Sequence, residues 1–219
     1  MVKEIIGIAK EAGEAILEYY KDSADMDISR KDDDSPLTKA DLAAHNIIID
    51  ALPKIDPDTP IISEESGVPD YEERKDWSKF WIVDPLDGTK EFIRRNGEFT
   101  VNIALVDQGV PVLGVVYIPA KNTTYYATRE DGSFKQEGTS APTRIFSEGS
   151  SKTDDLVAMQ SRSHGSDKLI QQLTDKGLTV GKTIPAGSSL NFCLIAEGSA
   201  DIYPRMGPTM EWDVAAGDA

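Results

Sequence analysis

The chain has 219 residues, 39% hydrophobic and 28% charged, which fits one large folded domain or two small ones and excludes a disordered chain. A formal net charge of -15 excludes broad binding to nucleic acid or to anionic membrane surfaces, since both need a basic face. One cysteine (Cys193) excludes an internal disulfide, and with only two histidines it leaves too few soft ligands for a closed zinc site.

Ile5, Ile6, Ala9, Ala12, Ile16, Tyr19 and Tyr20 recur at helical spacing and predict an amphipathic helix over residues 3–20. The first residues lack the basic-then-apolar arrangement of a signal peptide, and no apolar run reaches membrane-spanning length. These features predict a reducing, cytoplasmic setting. Residues 22–35 are acidic, but the Asp32-Asp33-Asp34 run lacks the glycine and glutamate of a calcium loop and reads as a solvated loop. Thr38-Lys39-Ala40-Asp41 is close to a capping box and opens a second helix that ends before Pro53. Ile61-Ile62 predicts a short strand that delivers Ser63-Glu64-Glu65-Ser66-Gly67 at its end.

An apolar run over residues 80–83 predicts a buried strand that breaks at Asp84-Pro85, with a second carboxylate at Asp87 before Gly88 and Thr89. Residues 90–95 read as a cationic patch beside it. Residues 99–106 and 112–118 form a predicted hairpin around Gln108-Gly109, continued by residues 123–128 and a turn at Asp131-Gly132. Residues 136–151 are polar and read as a surface connection. Beyond them, strands are predicted at 156–160, 178–180, 183–184 and 200–203, with helices near 166–176, from Gly187-Ser188-Ser189 to Ala196, and from Glu211 onward. The pattern is α+β in the first half (1–135) and α/β in the second (136–219), with a site between the halves.

Two carboxylates, the Leu86 carbonyl and the Thr89 hydroxyl at one strand end form an oxygen-only set suited to Mg²⁺ and phosphate oxygens. The same residues also make an ordinary turn. Ser161, Ser163 and His164 are adjacent, but no Gly-x-Ser-x-Gly elbow accompanies them, and the Walker and Gly-x-Gly-x-x-Gly phosphate loops are missing. What remains is a dispersed acidic set, Glu64, Asp84, Asp87 and Asp213, each beside apolar or small residues where a bare charge is expensive.

Three stretches, Ser63-Glu64-Glu65, Asp84-Pro85-Leu86-Asp87-Gly88-Thr89 and Trp212-Asp213-Val214-Ala215-Ala216-Gly217, resemble the motifs of the inositol monophosphatase superfamily. Residues 81–97 and 99–119, with Tyr203-Pro204-Arg205, resemble its bacterial 3'(2'),5'-bisphosphate nucleotidase branch. The resemblance covers nearly the whole chain. It implies a layered α-β-α-β-α sugar-phosphatase fold, here lacking the last C-terminal elements. It also implies a Mg²⁺-dependent, lithium-sensitive phosphomonoesterase that converts adenosine 3',5'-bisphosphate to AMP and phosphate, with two or three Mg²⁺ ions.

By the same resemblance Glu64, Asp84 and the Leu86 carbonyl bind one ion, and Asp84, Asp87 and Asp213 bind a second. Asp41 and Thr89, with Glu64, form the catalytic set that orients and deprotonates water. Asp87, Gly88, Thr89, His164, Ser188, Arg205 and Asp213 contact the substrate. Asn191 stands where the branch usually has lysine, which removes a cation from the grip on a second phosphate. An inositol or sugar phosphatase is the nearest alternative, and a catalytically silent phosphate-binding regulator is the alternative of another class. The implied partner is a small phosphate ester, with no nucleic-acid polymer and no integral membrane segment. A monomer or homodimer is implied, and a cytoplasmic location with peripheral contact at the inner membrane as a second option.

Overall fold

A computed structural model describes residues 1–21, 29–30, 36–147, 153–162, 167–205 and 207–219. Its elements in chain order are α1 (Val2–Lys21), β1 (Ser29–Arg30), β2 (Pro36–Leu37), α2 (Lys39–Ile55), β3 (Ile61–Ser63), α3 (Tyr71–Arg74), β4 (Lys79–Asp87), α4 (Thr89–Ile93) and β5 (Thr100–Asp107). There follow β6 (Val110–Ile118), β7 (Thr123–Thr128), β8 (Gly132–Glu137), β9 (Thr143–Arg144), β10 (Leu156–Ser161), α5 (Asp167–Asp175), β11 (Val180–Ala186), α6 (Leu190–Ala196) and α7 (Glu211–Asp218). Strands β3 to β9 form one seven-stranded sheet in sequence order, parallel only between β3 and β4.

Alternation along the strands gives the sheet two buried faces. Trp81, Val83, Ile103, Leu105, Val115 and Tyr117 face α1 and α2, against Ile5, Ile16, Ile48 and Leu52. Ile82, Ala104, Val106, Val116 and Ile118 face the other way, against Leu190, Cys193, Trp212, Ala215 and Ala216. Helix α7 lies on β4, β5 and β6, α6 touches β10, and α5 touches β11, where β10 and β11 pair in parallel as a second small sheet. The layers are therefore helices, large sheet, helices, small sheet, helix, as expected. Gly114 on β6 lets α7 settle onto the sheet, because a Cβ there would be driven into the Ala216 carbonyl. Among the described residues, no helix is long and apolar enough to cross a membrane.

Several expectations are corrected. Helix α2 continues through Pro53 to Ile55, because proline deletes one bond of the ladder and the Asp56 N–H closes the next turn on Leu52 O at 3.0 Å. Residues 90–93 of the cationic patch lie in α4, anchored by Phe92 within 5.4 Å of Tyr20 and 5.3 Å of Phe99 between ring centroids. Tyr71–Arg74 form a helical turn that no periodicity announced. The polar connection contributes β9 to the sheet edge. Two weak strand candidates merge into β11, whereas the strand expected at 200–203 reduces to a bridge between Ile202 and Ala158. The acidic loop, including Asp32-Asp33-Asp34, lies mostly outside the described residues; within it Ser29–Arg30 pairs with Pro36–Leu37 as a ribbon.

Candidate active site

Parallel pairing brings the ends of β3 and β4 together. Ser63 stands beside Val83, so Glu64, the next residue on one strand, reaches Asp84, the next on the other. Asp84 is 1% exposed, and the Glu64 carboxyl hydrogen-bonds to it. Residues three apart on a regular strand point to opposite faces, which would separate Asp84 from Asp87. The β4–β5 ladder prevents this. Asp84 pairs with Asn102 and Asp87 with Thr100, so Pro85 and Leu86 together stand opposite Val101. The extra residue is a bulge that re-aims the chain, and the Leu86 N–H turns back onto Asp84 Oδ1 at 3.1 Å.

Asp213 arrives from the first turn of α7, where the Met210 N–H caps its Oδ2 at 3.0 Å. Carboxylate oxygens of Asp84, Asp87 and Asp213 then lie within 4.8 Å of one another. At that spacing two unit charges repel by roughly 3–4 kcal/mol for an effective dielectric near 20. The titration behaviour reflects this. Burial, then the charges of Glu64, Asp87 and Asp213, pushes Asp84 well above the ordinary carboxylate range. Burial and Asp213 push Asp87 up to about 7, against the pull of hydrogen bonds from Ser189 and Asn102. Burial raises Asp213 too, with Glu64 adding to it while the Met210 N–H and Arg205 oppose. An all-oxygen, mutually repelling, buried set of carboxylates is a cradle for hard divalent cations.

Asp41 makes the expected cap and does more. Its Oδ2 accepts the Thr38 N–H at 2.8 Å, and its Oδ1 accepts the Thr89 hydroxyl at 3.2 Å. The Thr89 Oγ1 also lies 3.4 Å from the Leu86 carbonyl. Gly88 holds the turn between them in the left-handed region, φ 88°, and a Cβ there would sit 3.1 Å from Ser188 Cβ.

Glu64, Asp87, Gly88, Thr89, Lys90, Ser188, Phe192, Tyr203, Arg205 and Asp213 line one cleft of about 190 Å³. The structure thus brings together every sequence-predicted site residue except two groups. Asp41, Asp84 and Leu86 lie just behind the cleft wall in contact with it, and His164 lies outside the described residues. Arg205 is held by Thr209 Oγ1 at 3.1 Å and the Pro208 carbonyl at 3.3 Å. Ser188 has φ 52°, and its Oγ is buried without a protein partner. Asn191 is not on the cleft; it is 1% exposed and donates from beneath to Ala186 O at 3.1 Å and Ser188 O at 2.9 Å.

Sequence reasoning missed three polar residues. Asn102 and Ser189 both contact Asp87, and Glu98 pairs with Arg162 at 2.7 Å and accepts the Gly187 N–H at 2.8 Å. Asn102 carried a signal, since it interrupts the apolar run from Val101 to Val106.

Comparison with known proteins agrees with this geometry. The profile described as the inositol monophosphatase family matches residues 1–219. The 3'(2'),5'-bisphosphate nucleotidase CysQ of Salmonella typhimurium is 48% identical, spanning 100% of this chain and 86% of that protein. Its namesake from Buchnera aphidicola is 43% identical over 100% of this chain and 80% of its own. The crystal structure of CysQ from Bacteroides thetaiotaomicron, a bacterial member of the inositol monophosphatase family, superposes with a TM-score of 0.81 at 42% identity, covering 99% of this chain and 83% of that one. Thermotoga maritima IMPase gives 0.77 at 26% identity, over 97% and 78%.

Proposed function

The chain belongs to the inositol monophosphatase family, and from that premise we propose that it is a Mg²⁺-dependent 3'(2'),5'-bisphosphate nucleotidase acting on adenosine 3',5'-bisphosphate. The observation that carries the reading is the packing of Asp84, Asp87 and Asp213 into one oxygen cluster beside the Thr89 hydroxyl, on a cleft that also holds Arg205. The relatives at 48% identity direct the substrate choice toward the nucleotide.

Glu64, Asp84, the Leu86 carbonyl, Asp87 and Asp213 would hold two or three Mg²⁺ ions. When bound, Mg²⁺ supplies Lewis-acid polarisation of the phosphoryl oxygens and counter-charge for the leaving oxygen. The protein's own groups do the rest. Asp41 Oδ1 draws the Thr89 proton toward itself, which leaves the Thr89 Oγ1 lone pairs to accept a proton from the attacking water. The backbone N–H groups of Gly88 and Thr89, which line the cleft, would donate to the phosphoryl oxygens. Water forms the new P–O bond and gives its proton to the Thr89–Asp41 pair, the bond to the ribose 3'-oxygen breaks, and that oxygen takes a proton from solvent water and leaves as a hydroxyl. Arg205, with Ser188 and His164, grips the remaining phosphate and nucleoside. Li⁺ competes for the same oxygen set and inhibits.

The test is phosphate release from adenosine 3',5'-bisphosphate and from inositol 1-phosphate, each with Mg²⁺ and with or without Li⁺. Nucleotide preference suppressed by Li⁺ is the expected result. Preference for inositol phosphate would keep the cation cluster and move the substrate. Absence of turnover on both would leave a phosphate-binding protein.

A further inference from the structure

Asp87 is the most heavily solicited carboxylate of the cluster, and all the solicitation falls on one of its oxygens. Its Oδ2 accepts the Ser189 N–H at 2.6 Å, faces the Ser189 hydroxyl at 2.7 Å and accepts the Asn102 amide at 3.2 Å. Asn102 cannot be turned the other way, because its oxygen would then face a carboxylate oxygen. In the observed orientation its Nδ2 also donates to Ser189 Oγ at 2.8 Å and its Oδ1 accepts the Thr100 hydroxyl at 2.9 Å. All three residues are buried, at 0% exposure for Thr100 and Asn102 and 1% for Ser189. The single Ser189 hydroxyl proton is shared between Asp87 Oδ2 and the backbone carbonyl of Asp213, which lies 2.8 Å from the same oxygen. One serine therefore touches two residues of the acidic cluster, from β4 and from α7, while Asn102 braces it from β5.

From this geometry we infer that Asn102 and Ser189 are positioning residues that hold Asp87 for the cation and join the cation cluster to the substrate-facing turn at Ser188. The inference rests on reading Asp84, Asp87 and Asp213 as the cation site. With Oδ2 committed to protein donors, Oδ1 is the oxygen left for an ion. The same Ser189 N–H that fixes Asp87 also fixes the peptide between Ser188 and Ser189. That peptide follows a left-handed residue whose buried Oγ has no partner in the protein. Displacement of Asp87 is thereby transmitted to Ser188 through a single residue. Hydrogen-bond donors behind a metal ligand commonly change metal affinity by about 10–100-fold when removed.

The experiment compares the full chain with Ser189→Ala, Ser189→Thr and Asn102→Ala. Three readings are taken: Mg²⁺ affinity by calorimetry, thermal melting in EDTA, and KM and kcat for adenosine 3',5'-bisphosphate at saturating Mg²⁺. Ser189→Ala should weaken Mg²⁺ binding by about tenfold or more and raise KM even when Mg²⁺ is saturating. Ser189→Thr, which keeps the hydroxyl, should restore most of the affinity. Variants that melt earlier yet bind Mg²⁺ as the parent does would reduce both residues to core packing and overturn the inference. Ser189→Ala removes a single oxygen and decides the matter if Asn102→Ala does not fold. Should the parent chain bind Mg²⁺ with this dependence on Ser189 but release no phosphate from the nucleotide, the positioning role stands and the proposed substrate falls.

Discussion

The two faces of the large sheet are both buried and differ in what they are built to hold. The face toward α1 and α2 is closed by two helices adjacent in sequence, with Ile5, Ile16, Ile48 and Leu52 set among Ala9, Ala12, Ala40 and Ala44. The face toward α6 and α7 is closed with Leu190, Cys193 and Trp212 alongside Ala215 and Ala216, and α7 settles there over Gly114. Gly114 lets the α7 backbone come close, and carboxylates from β4 and α7 meet within 4.8 Å. One face serves burial alone; the other also brings a helix carboxylate to the end of a strand. The acidic cluster sits at the edge of the second face, where folding free energy from the first can offset its repulsion.

That contrast can be broken most forcefully at Asp87. Replacement Asp87→Asn should lower phosphate release by roughly 10²–10³-fold, the range seen when one preorganised electrostatic group is lost. It should also raise the melting temperature of the metal-free protein, because a neutral amide removes repulsion from Asp213. Retained turnover would take Asp87 out of the site. On the opposite face Ile48→Ala should destabilise by about 2–5 kcal/mol in denaturant titration, since Ile48 is fully buried. At temperatures where that variant is folded, its Mg²⁺ requirement and KM should be those of the parent; a shift in either would mean the two faces are not separable.

A pH titration sharpens the comparison further. Folded Asp87 titrates at about 7, raised from 3.8. A raised carboxylate holds its proton in the folded state after the unfolded chain has released it. Its stabilising contribution is therefore complete below about pH 4 and lost as pH rises through about 7. Melting in EDTA should show this decline between those values. Because an ion displaces the proton, the Mg²⁺-induced gain in melting temperature should grow across the same window. A gain independent of pH would contradict the cluster as the Mg²⁺ site. The smallest effect is expected at the cleft rim. Arg205→Ala should raise KM by about tenfold for the bisphosphate nucleotide, the cost of one charge-assisted contact, and by less for inositol 1-phosphate. Equal changes would remove Arg205 from the second phosphate.

Where local pattern decides structure, the sequence could be read. The periodicity of α1 and the hairpin of β5 and β6 around Gln108 and Gly109 follow from spacing within a dozen residues, whereas the roles expected of the motif carboxylates came from the family resemblance. What escaped depends on partners far along the chain. Residues 90–95 are charged enough to suggest a surface patch, and the helix that occupies most of it packs through Phe92 on Tyr20 and Phe99. Ile202 has the composition of a strand, but its neighbours supply just one bridge. The bulge at Pro85 was visible as a break, not as the device that turns Asp84 and Asp87 to one side. Ser189 reads as a polite helix start until Asp87, 102 residues earlier, is found beneath it.

Asp41 illustrates a consequence for how such a chain can change over time. One oxygen of its carboxyl closes the start of α2 and the other steers the Thr89 hydroxyl. Under the proposed mechanism stability and activity therefore draw on the same carboxyl, and no drift at position 41 can trade one against the other. A screen for folded variants and a screen for active ones would each retain aspartate here, for unrelated reasons. Preservation of the residue in either screen alone would say nothing about which task had kept it.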